Sequence, residues 1–150
     1  MKIKSKKNKK FITLDNQDKE NGFLVPIYNI KENFFITGRE PEQAYLTVVN
    51  EGCIKGPHLH KIRRGFFTCI KGNIRVILKI NGQYEIFYSG EKFDFLSIEI
   101  PTNIPAAIQN IGKCSAYVIN MPSPAWDKEM NDEYTDDFSD FDFSSFEIIK

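Results

Sequence analysis

Apolar runs rich in β-branched and aromatic residues alternate with turn residues along most of the chain. Phe11–Leu14, Leu24–Ile30, Phe34–Thr37 and Ala44–Val49 read as strands, with Asn21-Gly22 and Gly38 as breaks between them. The middle is more sharply punctuated. Phe66–Ile70 and Ile74–Ile80 flank Lys71-Gly72-Asn73, and Asn81-Gly82 separates Ile74–Ile80 from Tyr84–Tyr88. Asn-Gly between two apolar runs is a strong hairpin signal, because both turn residues tolerate positive φ. Phe95–Ile100 and Ala116–Ile119 follow, the latter after the turn Asn110-Ile111-Gly112. Strands recurring roughly every 8–12 residues, with little helical periodicity, predict an all-β sandwich or barrel. A short helix is expected over residues 127–137 and a closing strand at Phe143–Ile149.

Composition narrows this picture without changing it. With 150 residues, 41% hydrophobic and 27% charged, the chain is expected to form one domain over residues 1–150, with a core spanning about 24–122. The three cysteines, Cys53, Cys69 and Cys114, form no CxxC pair, which argues against a disulfide framework or a structural zinc site. Cys69 and Cys114 lie in apolar runs and are expected to be buried. No apolar run approaches the length of a membrane span and no leader segment is evident, so a cytoplasmic protein with no membrane partner is expected.

Net charge is zero but unevenly placed: residues 1–10 hold six Lys, and Asp127 to Phe143 hold eight acidic groups. With no basic stripe interleaved with aromatics elsewhere, the Lys-rich start reads as a solvated, flexible terminus, and no nucleic-acid partner is expected. The acidic stretch reads as surface, with Trp126 and Tyr134 able to face a pocket.

The two histidines of the chain both lie in Gly56-Pro57-His58-Leu59-His60-Lys61. On a strand, residues i and i+2 point to one face, so His58 and His60 project together. Lys61, Arg63 and Arg64 follow closely.

This Gly-x-His-x-His string, followed by a strand pair with a Gly turn, resembles the first motif of the cupin superfamily. Pro101 to Asn110 is similar in spacing to the second, Pro-x-Gly-x-x-His-x-x-x-Asn, with Asn103 in the Gly place and Ala106 in the His place. The resemblance implies a double-stranded β-helix, a jelly-roll barrel, with the helix at 127–137 as a short C-terminal addition. Metal-binding cupins add a Glu four or five residues after the second His; Arg64 and Gly65 stand there, and Ala106 replaces the last His. Two imidazoles beside several cations make a poor transition-metal site, so neither a metal nor another cofactor is expected.

Metal-free cupins acting on dTDP-sugars are a better match. The segment from Lys55 to Lys61, continuing through Phe67-Thr68-Cys69-Ile70-Lys71-Gly72, resembles the dTDP-sugar 3,4-ketoisomerases, with their Arg-Gly-x-His-x-His-Lys and later Cys-x-x-Gly. Their Arg is here Lys55, and a Gln usual five residues after the second His is here Gly65. It also resembles the dTDP-4-dehydrorhamnose 3,5-epimerases, whose base falls on His58, whose pocket Lys falls near Gly65 and whose Tyr acid falls near Trp126. The resemblance implies a nucleotide-sugar isomerase of the ketoisomerase type in surface-polysaccharide biosynthesis, with a 3- or 3,5-epimerase as the alternative and a non-catalytic sugar-binding protein as the second. On that basis His58 is assigned as base and His60 as its proton-shuttling partner or the stabiliser of the enediolate oxygen. Lys61, Arg63, Arg64 and Arg39 are assigned to the diphosphate or oxyanion, and Trp126 and Tyr134 to the substrate pocket. The expected partner molecules are a nucleotide-diphosphate sugar and a second copy of the chain, paired as a homodimer through N-terminal strands.

Overall fold

In the computed structural model, which describes residues 1–150, the chain is an all-β sandwich. One sheet runs, in spatial order, β1 (Ser5–Lys6), β9 (Ser97–Ile100), β6 (Gly65–Lys71), β11 (Ala116–Asn120) and β4 (Tyr45–Val49). The other runs β12 (Glu133–Thr135), β5 (Ile54–His60), β10 (Ala106–Asn110), β7 (Asn73–Ile80) and β8 (Gln83–Gly90). A separate hairpin pairs β2 (Phe11–Leu14) with β3 (Glu20–Leu24). All strand pairs are antiparallel, and the neighbours are mostly non-consecutive in sequence, as a jelly roll requires. The cupin-type barrel expected from the two motifs is therefore what the chain forms.

The core between the sheets follows from strand alternation. On β7, Ile74, Val76, Leu78 and Ile80 point inward and meet Ile98, Ile100, Ala116, Val118 and Cys69 from the facing sheet. The outer face of β7 is covered as well, because Ile77 and Ala107 pack under Phe138, with Phe141 and Phe143 beside it. Arg75 straps this tail down: its guanidinium donates to the Gln109 Oε1 and to the carbonyls of Phe143 and Ser145. That is why Asn73–Ile80 is buried at nearly every position, Arg75 included. The Asn81-Gly82 hairpin is as expected, with φ of 50° and 77° at the two turn residues.

Several expectations are corrected. No helix forms over 127–137; β12 lies there instead, paired to β5 with Glu133 opposite His60 and Thr135 opposite His58. Its backbone completes the sheet edge, and that pairing outweighs the weak helical propensity of an Asp- and Asn-containing segment. Phe143–Ile149 makes a single bridge, Ile149 to Gly112, and its rings serve as tail anchors. Leu24–Ile30 leaves the sheet after Leu24, and Phe34–Thr37 forms no strand because Phe34 and Phe35 pack on the Phe66 ring. Asn21-Gly22 lies inside β3 rather than at a turn. The Lys-rich start is packed: β1 adds to β9, and Ile3 and Asn8 are buried. Cys69 is buried, whereas Cys114 is exposed.

Candidate active site

β5 departs from regular pairing at one point, and that point shapes the site. Against β10, His58 lies opposite Ala106 and Lys55 opposite Ile108, so three steps on β5 match two on β10. Such a bulge shifts the facing parity. Lys55 therefore turns to the same side as His58 and His60, and all three line one cavity. Gly56 permits this: its φ is 90°, and a Cβ there would lie 2.7 Å from the Ala106 carbonyl oxygen.

The cavity lies between the two sheets. One side carries Lys55, His58 and His60 from β5, Arg63 and Arg64 beyond it, and Glu133 from β12. Tyr45 and Thr47 on β4 and Asn120 on β11 face them, while Phe67, Ile100, Ala106, Ile108 and Pro122 supply the apolar surface. Its volume of about 160 Å³ is below the roughly 300 Å³ of a pocket that encloses a whole drug-sized ligand. It therefore encloses only part of a ligand of that size.

His60 is the most constrained of these groups. Its Nδ1 lies 2.8 Å from Asp132 Oδ2, and the Asp132 side chain is only 2% exposed. The same carboxylate accepts the Ile62 N–H at 2.6 Å, the Arg63 N–H at 3.2 Å and the Arg63 Nε–H at 2.8 Å. Burial alone would raise the Asp132 carboxyl, but the hydrogen bonds from Arg63, the Ile62 N–H and His60 outweigh it and hold the carboxyl down at about 2. Arg63 Nη2, a donor only, also lies 3.2 Å from Nδ1, but the shorter contact to the ionised carboxylate favours the hydrogen on Nδ1, and in the neutral ring that leaves the Nε2 lone pair free. Glu133 stands between the two imidazoles, its Oε1 3.8 Å from His60 Nε2 and 3.9 Å from His58 Nε2.

Across the cavity, Asn120 Nδ2 donates to the Tyr45 hydroxyl at 2.7 Å. Because that oxygen is accepting, the phenolic hydrogen remains available to a ligand. Arg64 is 4% exposed and has no carboxylate bound to it. Its Nη atoms donate to the carbonyls of Met121 and Arg39, its plane lies 3.8 Å from the Phe35 ring centre, and its Nε has no partner. Burial lowers its pKa from the usual value.

Of the residues singled out in sequence, the structure gathers His58, His60, Arg63 and Arg64 around the cavity. It leaves four outside the lining. Tyr134 pairs with Leu59, whose side chain points away from the histidine face, and it stacks under Lys61 at 4.2 Å, so those two contact each other on the outer surface. Trp126 is half exposed, its backbone N–H donating to Gln43 Oε1. Arg39 contributes its backbone carbonyl to Arg64 and does not line the cavity. Sequence reasoning missed Asp132, Glu133, Tyr45 and Asn120. An acidic pair placed for β pairing next to an HxH strand was the available signal for the first two; Tyr45 and Asn120 had none.

With this geometry in view, the chain can be compared with known proteins. A family model described as FdtA: WxcM-like, C-terminal matches residues 7–145. The chain belongs to the FdtA family. No curated protein sequence matches this FdtA-family chain. Among solved structures, a dTDP sugar isomerase from Desulfovibrio desulfuricans G20 superposes with a TM-score of 0.82 at 14% identity, covering 97% of this chain and 93% of that one. QdtA, a sugar 3,4-ketoisomerase from Thermoanaerobacterium thermosaccharolyticum solved with TDP, superposes at 0.65 with 18% identity, covering 88% and 86%. ChmJ, a 3'-monoepimerase from Streptomyces bikiniensis solved with dTDP-quinovose, does so at 0.70 with 14% identity, covering 89% and 68%. At these identities the superpositions establish the shared fold, and the family model establishes the membership.

Proposed function

We propose that this FdtA-family protein is a nucleotide-sugar isomerase that moves a carbonyl between C4 and C3 of a dTDP-linked 4-keto-6-deoxy sugar. The observation that carries this is the imidazole pair facing the cavity, with His60 fixed by the buried Asp132. A ketone acidifies the adjacent C–H, and imidazole is suited to take that proton because its ordinary pKa lies near neutrality. The family resemblance assigned the base role to His58. Asp132 binds His60 instead, so His60 Nε2 takes the C3 proton and His58 is the second imidazole of the pair.

The electron pair left at C3 moves onto the C4 oxygen and gives an enediolate. Lys55 and Arg63 supply positive charge beside it. Tyr45 gives its hydrogen to that oxygen and recovers one from the C3 hydroxyl; the imidazolium returns its proton to C4. The carbonyl then stands at C3, and no proton is gained or lost overall. The nucleotide lies across the rim, where the small cavity ends. A homodimer is part of the proposal: Phe11, Ile12, Leu14, Phe23 and Leu24 on the β2–β3 hairpin are about half exposed, a surface suited to a second copy. Light scattering that finds a monomer at micromolar concentration removes that part.

Epimerisation is the second reading, favoured by Tyr45 facing the imidazoles from the opposite sheet, which permits proton delivery to the other face of the sugar. The experiment is incubation with TDP-4-keto-6-deoxyglucose in D₂O, followed by NMR. A 3-keto product, with any solvent deuterium at its C4 or at C3 of the recovered substrate, supports the ketoisomerase. Deuterium at C3 or C5 without carbonyl migration supports the epimerase, and neither a new product nor exchange with the wild type overturns both.

A further inference from the structure

Gly65 begins β6 beside the cavity, where the sugar ketoisomerases it resembles carry a Gln. The space such a side chain would need is already taken. A Cβ built on Gly65 would lie 2.4 Å from Phe67 Cε2 and 3.1 Å from Phe67 Cδ2. Those distances are far inside carbon–carbon contact, so the Phe67 ring is folded back over Gly65 and occupies that position. Residues 65 and 67 share one face of the strand, and both line the cavity. The same side of the cavity continues through Ile100, while Ala106 presents only a methyl group where the second cupin motif has an imidazole.

Neither position 65 nor position 106 thus offers a polar side chain, and an aromatic ring covers this side of the cavity. A sugar bound with its reacting carbons against His58 and His60 turns its other side to Phe67. A C–H-rich or methyl-bearing surface packs on an aromatic ring without cost, whereas a hydroxyl placed there loses its water and finds no acceptor or donor. We propose that Phe67, lying over Gly65, is a specificity-determining residue that selects a sugar whose side facing it is deoxygenated, the 6-methyl of a 6-deoxyhexose being the group it accepts. This rests on the nucleotide-sugar reading of the site, and it goes further by naming the residue and the substituent it reads.

The test uses ligands that do not react. dTDP-quinovose and dTDP-glucose differ only in the hydroxyl at C6, and their affinities for the full chain can be measured by calorimetry. Wild type is expected to favour dTDP-quinovose by tenfold to about a hundredfold, the range in which an apolar pocket rejects an added hydroxyl. Phe67→Ala should lose most of that preference, and Gly65→Gln combined with Phe67→Ala should bring dTDP-glucose to at least equal affinity. Thermal melts confirm that each variant is folded, and Phe67→Leu serves as a folded alternative if the alanine variants melt early. Tight binding of both ligands with no preference, unchanged in the Phe67 variants, overturns the Phe67 proposal and leaves the nucleotide-sugar reading standing. If wild type binds neither ligand, both fall.

Discussion

The β5–β12 side of the cavity and the β6–β9 side solve different problems. The first gathers two imidazoles, Lys55, Arg63 and the carboxylate of Glu133, and supports them from behind with Asp132. The second offers Phe67 and Ile100, with a glycine where a polar side chain would fit the family pattern. Charged groups so close together need buried hydrogen bonds to hold their geometry, so the first side carries a dense polar network. An apolar side needs only shape. Changes to the first should thus lower turnover, and changes to the second should alter which ligand is held.

The largest effect is expected on the first side. His60→Asn should reduce kcat by about 10²–10⁴ while shifting ligand affinity about threefold or less, measured with TDP-4-keto-6-deoxyglucose and TDP respectively. His58→Asn is expected to cost less; if it costs more, the base assignment reverts to His58. Tyr45→Phe should come next, at about 10² in kcat, since it removes a hydrogen and nothing else from the opposite wall. An unchanged rate would take Tyr45 out of the proton path.

Asp132→Asn should follow, lowering kcat by about tenfold to a hundredfold through a misoriented His60. It should also destabilise the fold by about 3 kcal/mol, because Arg63 is left buried beside a neutral group. The pH dependence has a defined sign. A carboxyl held at about 2 in the fold, against 3.8 ordinarily, adds roughly 2 kcal/mol of stability above pH 4, which is lost as the pH falls toward 2. Urea midpoints at pH 7 and pH 3 should differ more for wild type than for Asp132→Asn. The smallest effect belongs to the other side: Phe67→Leu should keep turnover within about threefold and show only in the preference between the two sugar ligands.

How much of this was legible beforehand depends on the range of the interaction involved. The β7–β8 hairpin could be read from Asn81-Gly82 because a two-residue turn is a local event. The shared face of His58 and His60 could be read from strand alternation, and the barrel from two motifs in the right order. The helix expected at 127–137 failed because strand pairing supplied by β5 is not visible in the segment itself. Tyr134 was misplaced for a related reason, since only the register of β12 on β5 decides which face it takes; Lys61, next to His60, falls on the opposite face by the same alternation that joins the two histidines.

By itself, then, the sequence determined the all-β architecture, the two imidazoles on one face and the absence of polar side chains at positions 65 and 106. Tertiary structure alone decided that Lys55 joins the histidines, through the bulge at Gly56. It also decided that Asp132, 72 residues beyond His60, orients that imidazole, that Tyr45 and Asn120 meet from neighbouring strands, and that Phe67 fills the space above Gly65. The first set depends on backbone alternation and local residue type. The second depends on which strands become neighbours and in what register, and that is fixed by burial of the whole core at once.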